Sequence, residues 1–185
     1  MTYIHIVEAV QKLNRKFDES DPLKLCKCMG IQVIYSNLGV GTDSIKGFFL
    51  ERYRIPVIVL NSNLPAQIQR IIAAHELGHA VLHRKCGVHA FNEVALFDES
   101  SLYEKEANLF AAEYLLDDAE VLESLNADST FFSVASQLNV PVELLDFKFR
   151  VMKWKGYKLV EPPITAQSTF LKDPDVPQNT EWLEL

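Results

Sequence analysis

The sequence predicts an α+β fold, mostly helical, with a small three-stranded and mostly antiparallel sheet. Three observations lead there. Apolar residues recur at helical spacing in several separate stretches. Residues 31–61 hold three short runs rich in β-branched and aromatic residues. One long apolar helix carries the pattern His-Glu-x-x-His at residues 75–79.

The elements follow in chain order. Ile6, Val10, Leu13 and Phe17 share one helical face, which predicts a helix over 3–17. "SDPLKLCKCMG" then supplies a cap, a proline near the start and a stopping glycine for a second short helix. "IQVIYS" (31–36), "SIKGFFLERY" (44–53) and "RIPVIVLN" (54–61) read as strands, the last two joined tightly enough to form a hairpin. Asn63 as N-cap and Pro65 in the first turn predict a helix running to about Lys85, with Gly87 as its stop. Ser101 and Glu104 form a capping-box pattern for a helix through about Leu116, and a further helix is expected near 117–126. Residues 130–153 read as two helices broken at "NVP", the outline of a helix-turn-helix unit. From Gly156 the chain loses periodicity; this irregular tail is expected to pack on the body, with Trp182 and Leu183 as anchors.

At 185 residues the chain is long enough to bury its own core without covalent staples. A net charge of −7 excludes the broad basic footprint that nucleic-acid binding requires, so direct contact with nucleic acid is not expected. Cys26, Cys28 and Cys86 are an odd number in no disulfide-framework spacing, as in a reducing cytoplasm. No apolar run approaches the roughly 20 residues that span a bilayer, and no basic segment leads into such a run at the N-terminus. The expected location is cytoplasmic, with no membrane.

His75 and His79 are four apart, so a helix stacks them on one face, while Glu76 lies about 100° round from His75. Both imidazoles can then grip one divalent ion. With a third carboxylate ligand they make the His2Glu set of catalytic zinc sites, which keeps one position open for water, and Glu76 is placed to act as general base. The surrounding positions are apolar almost all round, from Ile68 to Leu82, and offer few partners to a buried imidazole pair. A bound cation satisfies two ring nitrogens at once.

The third ligand must come from elsewhere. The extended motifs that end in a nearby third histidine fail, because that position is Lys85 and the preceding glycine position is Leu82. In "SLYEKEANLFAAEYLL" the face with Leu102, Tyr103, Glu106, Leu109, Phe110 and Glu113 is the one expected to pack on the histidine helix, while Glu104 points nearly away from it. Glu106 is therefore the expected third metal ligand. The catalytic body is expected over 1–126, a helix-turn-helix-like extension over 127–155 and the tail over 156–185.

"VIVLNSNLPAQIQRIIAAHELGHAVLH" followed by "EKEANLFAAEYLL" resembles the ImmA/IrrE metallo-endopeptidases. The resemblance covers residues 45–116, and its second motif makes it more specific than the zinc signature. It implies a compact zincin-like fold, Zn2+ held by His75, His79 and Glu106, and Glu76 as general base. It also implies a protein substrate, a helix-turn-helix repressor or antitoxin of a phage or mobile element. One departure is "YLLDD", where family members commonly carry Met-Pro after the leucines.

The remaining candidates receive plainer roles. His83 continues the four-residue stack and is expected to pack beside or support the ligands; His5 and His89 are expected to be incidental. Cys86 reads as a small buried hydrophobe, and Cys26 with Cys28 as structural. Glu113 shares Glu106's face as a solvated glutamate or a histidine-orienting one. Tyr103 and Tyr114 are candidates to polarise a scissile carbonyl or to pack. The main reading is a zinc endopeptidase. The alternatives are a non-catalytic module that binds a repressor and, weaker, a DNA-binding regulator using 130–153, whose second helix has basic residues only late (Lys148, Arg150, Lys153).

Overall fold

The computed structural model describes residues 4–41, 44–84, 100–125 and 129–166, with residues 100 and 101 by backbone alone. Cys86, Gly87, His89, Trp182 and Leu183 lie outside them. Helix α1 (Ile4–Phe17) buries Ile6, Val10 and Leu13, the predicted stripe. Helix α2 (Pro22–Cys28) starts where Asp21 accepts a hydrogen bond from the Leu23 N–H, and Gly30 (φ 72°) closes the turn after it.

Strands β1 (Gln32–Ser36), β2 (Gly47–Arg52) and β3 (Ile55–Asn61) form one sheet in the order β1-β3-β2. The hairpin is as expected: β2 runs antiparallel to β3, and Tyr53 and Arg54 both take positive φ in the two-residue turn. The other half differs from a mostly antiparallel sheet, because β1 pairs parallel to β3, from Gln32 opposite Val57 to Ser36 opposite Asn61. The ten-residue connection 37–46 is what permits this. Its described residues meet the end of β3, where the Asn61 side chain donates to the Gly39 and Ile45 carbonyls and accepts from the Leu38 N–H.

Helix α3 (Ala66–Gly78) continues through a π-helical turn, His79–His83. Its N-terminal residue follows Pro65 directly. Asn63 makes no cap; its amide donates instead to Asn37 Oδ1 (2.7 Å) and to the Gly39 carbonyl (3.1 Å) of the crossing loop. The sheet lies close on α3 because Gly47 has no side chain: a Cβ there would stand 2.6 Å from an Ile72 methyl.

On its other side α3 packs against α4 (Ser100–Leu115), which in turn carries α7 (Val142–Trp154). Helices α5 (Asp118–Ser124) and α6 (Phe131–Gln137) connect them; Thr130 and Ser133 form a reciprocal capping box at the start of α6. One apolar core includes Leu25, Phe49, Ile58, Ile72, Leu77, Phe110, Phe147 and Met152, so sheet, α3, α4 and α7 share it. The described tail ends against α7, where the Asp146 carboxylate accepts the Ala166 N–H (2.8 Å) and Arg150 donates to the Ala166 carbonyl (2.9 Å). Among the described residues no helix is long and apolar enough to cross a membrane.

Candidate metal centre

The site sits where the end of α3 meets the start of α4. His75 and His79 are buried (4% and 1% exposed), and their Nε2 atoms face each other at 3.1 Å. The carboxylate that converges with them is that of Glu104: one oxygen stands 3.1 Å from His75 Nε2 and the other 3.3 Å from His79 Nε2. These three residues are the one His, Cys, Asp and Glu group among the described residues whose donor atoms gather as a metal site would need.

Glu106, the carboxylate expected here from the sequence, is directed elsewhere. Its Oε2 lies 3.0 Å from His83 Nε2 and its Oε1 3.4 Å from His5 Nε2. The reason is the way α4 packs. Gly78 lets α4 approach α3 until a Cβ at that position would stand 3.2 Å from Ala107 Cα and 3.1 Å from Phe110 Cδ1. The face of α4 that meets Gly78 thus carries Ala107 and Phe110, and Glu104 lies one turn before Ala107. A contact face centred on the large apolar residues places Glu104 on the far side, whereas Ala107, as close to Gly78 as Phe110, shifts the contact toward it. The signal that finds it is the close approach of Ala107 to Gly78.

Three ionisable groups define the electrostatics. Burial disfavours an ionised Glu104, but hydrogen bonds and positive charge from His75 and His79 outweigh it and hold the carboxyl well below the usual range. Burial pushes His79 down, the hydrogen bond of Glu104 opposes this, and repulsion from His75 and His83 leaves it at about 4. His75 is also pushed down by burial, yet Glu104, Glu76 and Asn108 together raise it. At neutral pH the site therefore offers an anionic carboxylate and a neutral His79.

That donor set fits a divalent ion. A tetrahedral centre with bonds of 2.0–2.1 Å keeps its donor atoms about 3.3 Å apart, close to the spacings seen among the two imidazoles and Glu104. Hydrogen bonding accounts for them less well, because two ring nitrogens and a carboxylate converge with few protons to share. Glu76 is 6% exposed, adjacent in sequence to His75, and its charge is felt at that imidazole. The Glu104 side chain is 27% exposed, so the site opens to solvent on the α4 side.

Other sequence candidates have structural partners. The Tyr114 hydroxyl donates to the Glu19 carbonyl (2.7 Å), which ties α4 to the α1–α2 connection, and the Tyr103 ring tilts against His83 at 4.7 Å. Glu113 pairs with Lys148 and Lys155. His5 is not incidental, since it contacts Glu106. Cys26 is buried and its thiol is pushed up to about 12, first by burial and then by the Asp21 charge; Cys28 is exposed. Lys148, Arg150 and Lys153 are engaged by Glu113 and Asp118, by Asp146, and by Glu161 respectively.

Comparison with known proteins points the same way. Residues 26–150 match a peptidase family described as the IrrE N-terminal-like domain. An uncharacterized immunity region protein 2 of Bacillus phage phi105 is 38% identical over 146 residues, which span 79% of this chain and 90% of that protein. Metallopeptidase ImmA of Bacillus subtilis (strain 168) is 27% identical over 146 residues, spanning 77% of this chain and 83% of that protein.

Proposed function

From the premise that the chain belongs to the family of IrrE N-terminal-like peptidase domains and is a metallo-endopeptidase, we propose that it is a zinc enzyme which cuts one regulatory protein, a helix-turn-helix repressor or antitoxin of a phage or mobile element. The observation that carries the reading is the convergence of His75, His79 and Glu104 on one point, with Glu76 on the next position of the same helix. In this reading those three residues hold Zn2+, which supplies Lewis acidity and makes a water acidic near neutral pH.

The protein's own groups do the rest. The Glu76 carboxylate takes the proton of the attacking water and returns it to the leaving amine. Burial of the two imidazoles keeps bulk water from competing for their lone pairs. The edge of β2 supports an extended substrate, because Arg84, just after the π turn, donates to Glu51 of β2 (2.6 Å) and so fixes that strand relative to the histidines. A regulatory substrate is supported by the name of the phage relative, an immunity region protein.

The test is incubation with a candidate helix-turn-helix repressor, read by intact mass. The zinc-loaded protein should yield one pair of fragments, and a chelator should abolish them. Glu76→Gln should keep one zinc per chain and lose cleavage by at least the roughly 100-fold that a general base contributes. A Glu76→Gln variant that still cuts would remove the assigned role. An intact partner after incubation with fully zinc-loaded protein would remove the proposed substrate.

A further inference from the structure

His79 uses Nε2 toward His75 and Glu104, and its other ring nitrogen is also engaged: Nδ1 lies 3.0 Å from His83 Nδ1. The opposite edge of the His83 ring faces Glu106, with Nε2 3.0 Å from Oε2. Two nitrogens at such a separation share one proton, so a direction can be assigned to the chain of contacts. A neutral imidazole carries a single ring hydrogen. If His79 keeps its Nε2 lone pair for an ion, its hydrogen sits on Nδ1 and donates to His83 Nδ1. The hydrogen of His83 is then on Nε2, where it donates to the Glu106 carboxylate. The reverse direction puts a hydrogen on His79 Nε2 and sets the bare Nε2 of a neutral His83 against a carboxylate oxygen.

We propose that His83 and Glu106 are positioning residues which lock His79 in the tautomer and orientation that present its Nε2 lone pair to the ion. The inference rests on the metallopeptidase reading above. The local architecture is built for it. The π-helical turn begins at His79 and ends at His83, which puts the two imidazoles at the two ends of one turn. The ring centroids are 5.1 Å apart, the Tyr103 ring packs 4.7 Å from that of His83, and His83 is 2% exposed. Glu106 is itself held from α1, where His5 stands 3.4 Å from its second oxygen. The carboxylate of "EKEAN" that misses the ion thus supports a ligand to it, one imidazole removed.

Zinc affinity, measured by competition with a chromophoric chelator, and the visible spectrum of the cobalt-loaded protein test the proposal. His83→Leu fills the space without a polar atom; it should weaken zinc binding about 10–100-fold and alter the cobalt bands. His83→Gln carries an acceptor and a donor about as far apart as the two ring nitrogens and should recover most of the loss. If His83→Leu does not fold, Glu106→Ala, at a partly exposed position, reports the same loss. Wild-type zinc affinity and an unchanged cobalt spectrum in His83→Leu or Glu106→Ala would overturn this proposal alone. Equal impairment of the Leu and Gln variants would also overturn it, since a ring's bulk would then be what matters. A wild-type protein that binds no zinc or cobalt would remove the metallopeptidase reading and this one with it.

Discussion

At the scale of single residues, two glutamates one position apart in "EKEAN" take different tasks. Glu104 closes on the imidazole pair, and Glu106 closes on His83. Loss of a direct donor should cost more than loss of a support. Glu104→Ala should therefore weaken zinc binding by more than the about 10–100-fold expected for Glu106→Ala, measured by chelator competition in both variants. The opposite order would return Glu106 to the ion. His75, His79 and Glu76 were legible in the sequence because one helix carries them and helical spacing alone sets their relation. The carboxylate that joins them was not, because its direction depends on how two helices pack, which is set where Gly78 meets Ala107 and Phe110.

At the scale of elements, periodicity located the helices and strands, and the paired positive-φ turn made the hairpin local and readable. What it left out is direction and distance. Alternation does not encode whether β1 runs with or against β3; the reach of residues 37–46 and the Asn61 hub settle that. Nor does it encode how near α4 comes to α3, which Gly78 fixes. A larger side chain there must push against the Ala107 backbone, which gives way less easily than a flexible side chain. Gly78→Val should cost about 1–3 kcal/mol of stability in urea unfolding. It should also loosen zinc, because Glu104 rides on the displaced helix. Lowered stability with unchanged zinc affinity would show that the α3–α4 distance does not place Glu104.

At the scale of the whole molecule, charges of the C-terminal helices pair with carboxylates of α4 and α5. Lys148 is 1% exposed in α7; its ammonium lies 2.7 Å from Glu113 and 2.6 Å from Asp118, and Lys155 also pairs with both carboxylates. Burial works against ionising Asp118, but Lys148 and Lys155 outweigh it and lower its pKa. Burial likewise works against a charged Lys155, and Glu113 and Asp118 outweigh it and raise its pKa. The signs follow from linkage. A lowered carboxyl contributes stability that is complete above its unfolded value of about 3.9 and is lost as pH falls through the folded value. A raised ammonium contributes stability that is complete below about 10.4 and is lost as pH rises through the folded value. Stability from this cluster should therefore form a plateau between these limits. Lys148→Ala leaves Glu113 and Asp118 short of a buried cation and should cost about 3 kcal/mol at pH 7. The gap between variant and wild type should narrow as pH falls below about 4, because Asp118 loses the charge that Lys148 answers. Chemical denaturation at several pH values measures both; a variant as stable as wild type at pH 7, or a gap that persists undiminished into strong acid, would show that α4, α5 and α7 are held together by apolar packing alone.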